Sequence, residues 1–189
     1  MLTTSLSLLE RLRQPGERRA WDRFVELYTP LLLSWARRAG LQESDAADLV
    51  QDVFVTLVQI MPTFTYDRQK SFRAWLKTIT LNKWRDRCEK LAKRPALPGG
   101  GDRLNDLAGP NDLEAFWNAE YRQHVTRQAL QILQADFQPA TWKAFWEHVV
   151  VGRPAPEVGR ELGVTPGAVY AAKLRILGRL RDEFAGMLD

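Results

Sequence analysis

Three groups of side chains in this sequence are spaced so that they could act together. Arg73, Lys77, Thr80, Lys83, Arg87 and Lys90 follow one another at intervals of four, three, three, four and three residues. On a helix that spacing makes one stripe, and a stripe of cations neutralises phosphates. Phe72, Trp75, Leu76, Ile79, Trp84 and Cys88 fall on the side expected to face a core. Asn82, Arg85 and Asp86 lie at the flank, where amide and guanidinium groups can read base edges. Aromatics interleaved with cations also suit unstacked single-stranded DNA, because any base stacks on a ring; Trp75 and Trp84 read equally as core anchors. The second group, Asp45, Asp48 and Asp52, shares a helix face at i, i+3 and i+7. An acidic stripe repels DNA, so it is either a docking face for a protein or a solvated surface. Neither His nor Cys joins it, which argues against a metal site.

The third group runs from Glu157 to Leu177: a short helix, a glycine turn and a second helix opened by Thr165-Pro166. Val158, Leu162, Val164, Val169, Ala172 and Ile176 are spaced to pin the two helices together, as a helix-turn-helix requires. In such a unit the second helix enters the major groove N-terminus first. That presents Thr165, Gly167, Ala168, Tyr170 and Ala171 to base edges, while Lys173, Arg175 and Arg179 reach phosphates. Two helices of an ordinary bundle are the alternative; the glycine turn, the Thr-Pro start and the basic follow-on favour DNA. His124 and His148 have no Ser or Cys nucleophile arranged with them, and no Gly-rich phosphate loop is present, so no catalytic residues and no cofactor are expected.

The elements that must carry these groups are all helical, since no segment alternates like a strand. Helices are expected near 5–13, 18–39 with Pro30 kinking or dividing it, 44–60 capped by Ser44, and 71–91. Further helices are expected over 111–134, 139–151, up to Leu162, and from Thr165-Pro166 onward. The run Arg94-Pro-Ala-Leu-Pro-Gly-Gly-Gly-Asp, continuing to Gly109-Pro-Asn, has the composition of a flexible linker. The expected organisation is therefore all-α: an N-terminal domain over 1–93, a linker over 94–111, and a C-terminal helix-turn-helix domain over 112–189.

Charge follows the same division. The chain has 189 residues and a net charge of +4. Cations crowd 68–94 and 173–181, and the acids Asp102, Asp106, Asp112 and Glu114 lie between them. Two basic patches around an acidic spacer suit two contacts with a polyanion. A single cysteine, Cys88, excludes an internal disulfide framework and suits a reducing cytoplasm. No run approaches the roughly 20 apolar residues of a membrane span, and the first ten residues lack the pattern of a secretory leader.

The run Asp45-Ala-Ala-Asp-Leu-Val-Gln-Asp-Val-Phe54, then Phe72-Arg-Ala-Trp-Leu-Lys-Thr-Ile-Thr-Leu-Asn82, then Val158 through Leu180, resembles an extracytoplasmic-function sigma factor of bacterial RNA polymerase. The resemblance spans nearly the whole chain. It implies that the helix of Asp45, Asp48, Leu49, Gln51, Asp52 and Phe54 docks on the clamp helices of the polymerase's largest subunit. It implies that the segment of Arg73, Trp75, Lys77, Asn82, Lys83, Arg85, Asp86 and Arg87 melts and reads the minus-ten promoter element. The last helix would read the minus-thirty-five element, and the linker would thread towards the RNA exit path. Core polymerase and promoter DNA are the implied partners, and an anti-sigma factor is common in the family. Where the family usually has Ser-Arg-Leu in its recognition helix, this chain has Ala171-Ala172-Lys173, and Tyr170 replaces a common lysine. A conventional helix-turn-helix regulator, acting without the polymerase, is the alternative; it leaves the acidic stripe without a role.

Overall fold

The computed structural model describes residues 7–64, 71–93 and 109–188. Among them are eight α-helices and no strand: α1 (Leu8–Leu12), α2 (Arg18–Arg38), α3 (Glu43–Ile60), α4 (Phe72–Ala92), α5 (Pro110–Gln134), α6 (Pro139–Phe145), α7 (Ala155–Leu162) and α8 (Pro166–Glu183). Side-chain caps explain three of the starts. Ser7 and Glu10 cap α1 reciprocally. The Ser71 hydroxyl accepts the Ala74 amide at 3.1 Å, and the Thr165 hydroxyl accepts that of Ala168 at 3.2 Å.

Several expectations need correction. α3 starts at Glu43 after Gln42, so Ser44 lies inside the helix rather than capping it. The earlier start brings Glu43 into the first turn, where the helix dipole favours an acid, and Arg37 holds its carboxylate. α2 runs through Pro30 undivided. Pro30 and Glu26 are both on the exposed side, where water can take the carbonyl that the missing N–H leaves. The helix expected over 139–151 is α6 followed by a π-helical turn, Trp146–Val150. Val164, expected to pin the helix-turn-helix, is exposed. Pro110 and Asn111 already belong to α5, and the rest of the proline- and glycine-rich run, 94–108, lies outside the described residues.

The core is continuous from α1 to α8. Phe24, Leu27, Tyr28, Leu31 and Trp35 of α2 are buried, and α5 lies across them with Leu113, Trp117, Tyr121, Val125 and Ala129 buried at intervals of four. Trp35 meets Trp117 edge-on, with ring centroids 6.4 Å apart. The buried hydroxyls of Tyr28 and Tyr121 are 2.8 Å apart, and Tyr121 donates onward to the Met187 carbonyl at 2.9 Å. A carbonyl can only accept, so Tyr28 is the donor in the first bond. At one end Glu183, 1% exposed, is paired with Arg23 of α2, with Arg179 at 2.8 Å and with Arg11 of α1 at 3.9 Å. Arg23 also forks onto Asp136 at 2.8 Å. Burial opposes the Arg23 charge, but its bonds to Asp136 and Glu183 prevail and hold its pKa above the ordinary value.

Candidate nucleic-acid and protein interfaces

α3 presents two faces. Its core side carries Ala46, Leu49, Val53 and Leu57, all buried. Leu49 therefore anchors the helix and presents no docking surface, a correction to its place among the contact residues. On the outer side Asp48, Gln51 and Asp52 are exposed and Phe54 is half-buried. Beside them an open apolar groove between α2 and α3 is lined by Val25, Val50, Gln51, Phe54, Val55 and Val58. Asp45 is turned inward and buried, where it meets Arg87.

Arg87 holds all three acids of the stripe. Its Nη2 lies 3.1 Å from Asp45 and is hydrogen-bonded to Asp48, and its Nη1 lies 3.5 Å from Asp52. A planar guanidinium can fork in this way, and a lysine ammonium cannot span three carboxylates as well. The residue expected on the DNA side of α4 thus fastens α4 to α3.

The cationic stripe of α4 is divided in the same way at its other end. Arg73 donates to the side chain of Asn118 at 2.8 Å and to its carbonyl at 3.1 Å, and its guanidinium lies over the Tyr121 ring. Lys77 meets Glu114 at 2.5 Å, and that bond holds the Glu114 carboxyl below its ordinary pKa. Thr80 is buried, its hydroxyl bonded to the Leu76 carbonyl. One stripe on the sequence is therefore split between α5 and α3, because α4 is covered on two sides. Trp75 packs half-buried against Phe64, ring centroids 4.2 Å apart, and Trp84 is a core residue against Trp35. Asn82, Arg85, Asp86 and Lys90 are exposed on α4, as are Thr78 and Glu89, and Lys83 is half-buried. Burial raises the pKa of Cys88.

α7 and α8 are joined at Gly163, whose φ of +68° is the left-handed conformation that closes a helix without a Cβ penalty. Gly159 permits the close crossing: a Cβ there would sit 2.7 Å from the Val164 carbonyl. Val158, Val169, Ala172 and Ile176 are buried between the helices. Thr165, Gly167, Ala168, Tyr170, Ala171 and Arg175 are exposed and Lys173 is half-buried. Arg179 is paired with Glu183 and lies 4.0 Å from Asp136, so it braces the fold rather than standing free. Leu174, 72% exposed and absent from the expected contacts, lies on the same outward face.

Comparison with known proteins bears on both halves. Residues 24–94 match the family described as Sigma-70 region 2. The RNA polymerase sigma factor CnrH of Cupriavidus metallidurans is 31% identical over 183 residues, covering 92% of this chain and 89% of its own. NccH of Alcaligenes xylosoxydans, also an RNA polymerase sigma factor, is 38% identical over 177 residues, 91% of this chain and 90% of its own. SigD of Mycobacterium tuberculosis, an ECF RNA polymerase sigma factor, is 29% identical and covers 92% and 81%. The chain belongs to the extracytoplasmic-function family of RNA polymerase sigma factors. A solved structure of CnrH in complex with the cytosolic domain of CnrY aligns with a TM-score of 0.38 at 25% identity, over 92% of each chain. No described helix of this sigma factor is long and apolar enough to cross a membrane.

Proposed function

We propose that this sigma factor works in the cytoplasm by binding alone, docking on core RNA polymerase through α3 and directing initiation at promoters through α4 and α8. The observation that carries the docking assignment is the outer face of α3. Asp48, Gln51 and Asp52 stand exposed beside an apolar groove, in the segment that matches Sigma-70 region 2. Charged groups at the rim of an apolar surface steer a partner and fix its register. On the promoter, Asn82, Lys83, Arg85 and Asp86 face the minus-ten element, and α8 faces the minus-thirty-five element. Residues 1–93 form the first of these modules, 112–189 the second, and 94–111 join them. Arg73 and Lys77 reach DNA after parting from Asn118 and Glu114, so engagement of α4 entails moving α5 aside. An anti-sigma regulator belongs to the same reading as a third partner.

The test is run-off transcription from the chain's own upstream DNA with purified core polymerase. New, discrete transcripts are expected with the protein, and the D48K/D52K double variant should abolish both the transcripts and retention on core. Tight binding to a short duplex without any transcript would turn the assignment to a conventional regulator.

A further inference from the structure

The outward face of α8 is unusual for a helix that reads DNA by hydrogen bonds. The Thr165 hydroxyl oxygen accepts the Ala168 amide as the helix cap, which leaves only its O–H to donate. After it, Pro166, Gly167, Ala168, Tyr170, Ala171 and Leu174 are exposed in turn, and the first charged side chains are the half-buried Lys173 and the exposed Arg175. The bidentate base-edge hydrogen bonds of the major groove come from Arg, Lys, Asn or Gln, with carboxylates accepting from cytosine and Ser or Thr making single bonds. Apart from Thr165, none of these occurs between 165 and 172. Instead, a leucine 72% exposed and a tyrosine 50% exposed stand one turn apart on one stripe. The apolar group that base edges offer in the major groove is the thymine C5-methyl.

The tyrosine is also held in place. His148 meets its ring edge-on, centroids 5.3 Å apart at 89°. His148 is fixed in turn by a 2.8 Å bond from Nδ1 to the Arg153 carbonyl, which makes Nδ1 the hydrogen-bearing nitrogen. His148 lies in the π-helical turn Trp146–Val150, a rare kind of single turn that recurs at functional sites. Arg153 is braced by Glu147 at 3.0 Å and Glu161 at 2.7 Å. Lys173 and Arg175 flank the patch with positive charge, which fits a duplex rather than an apolar helix of another protein.

We propose that Leu174 and Tyr170 select promoter DNA by packing on thymine methyl groups. The proposal rests on the reading of α8 as the helix that faces the minus-thirty-five element. Duplexes with a randomised upstream window are selected on the full chain loaded on core polymerase. Each thymine recovered is then replaced by deoxyuridine, which removes the methyl and nothing else. Equilibrium competition should weaken about fourfold at one or two positions, the equivalent of burying one methyl at ~0.8 kcal/mol. Leu174→Ala should abolish the thymine preference at one of those positions. Tyr170→Phe should keep it at the other and Tyr170→Ala lose it; both positions are exposed, so folding is not at stake.

A wild-type chain indifferent to deoxyuridine overturns the proposal, as does an L174A chain with the wild-type preference. An L174A chain that selects DNA normally but is retained less by core polymerase also overturns it, and assigns the leucine to a protein contact. If the chain fails to load on core, the sigma reading has failed. The same competition with the chain alone then decides the methyl contact separately.

Discussion

At the level of single residues, Arg87 concentrates the most interactions at the candidate interface: one guanidinium answers Asp45, Asp48 and Asp52. Replacing it by alanine removes charge-assisted bonds and leaves the inward-turned Asp45 without its cation. The expected cost is about 1–3 kcal/mol, seen as a fall in Tm of about 2–4 °C per kcal/mol. Polymerase retention should survive once the fold is stabilised, since Asp48 and Asp52 remain. R87K should fall between alanine and wild type, because an ammonium is a point charge and cannot fork. The spacing of Asp45, Asp48 and Asp52 made their common face legible in the sequence. That Arg87 would meet them was not legible, because it depends on how α4 packs on α3. Leu49 illustrates the same boundary: it sits in the docking motif yet holds the helix in the core.

At the level of elements, the crossing of α7 and α8 turns on one missing methyl. Gly159→Ala would push a Cβ against the Val164 carbonyl at 2.7 Å and the Pro166 nitrogen at 3.3 Å, both backbone atoms. Overpacking of this kind costs about 1–3 kcal/mol, and DNA selection by α8 should weaken with it. Gly178→Ala is the control: nothing lies within 4 Å of its Cβ, and the helix interior gains about 0.5–1 kcal/mol. Thermal unfolding of the two variants should therefore shift in opposite directions. Ser71 and Thr165-Pro166 marked their helix starts in the sequence because a cap is local chemistry. The π-helical turn left no local mark. Periodicity through Trp142, Phe145, Trp146 and Val149 predicted an unbroken helix, and the structure instead ends α6 at Phe145 and places His148, which meets Tyr170, in the π-helical turn that follows.

For the whole molecule, the joint between α5 and α2 decides the arrangement. Tyr28 is buried there and its pKa is raised well above the usual 10.0, first by burial and then by Tyr121. An unfolded tyrosine ionises near 10, so the stabilisation is complete below that pH. It drains away as pH rises towards the raised folded value. Unfolding followed against pH should show stability falling above about pH 10, and Y28F should flatten that fall. Trp117→Ala should cost about 3–5 kcal/mol by opening a cavity against Trp35. An all-helical fold was legible from periodicity alone, but the stripe Leu113, Trp117, Tyr121 and Val125 could not say which helix it would cover. The joint also has a direction in time. Its last pieces, Glu183 and the Met187 carbonyl, leave the ribosome after every group they hold. At about 5–20 residues per second, α1 to α4 exist for several seconds before α5 and α8 can reach them. In every newborn chain, Arg73 and Lys77 therefore emerge before the Asn118 and Glu114 that cover them.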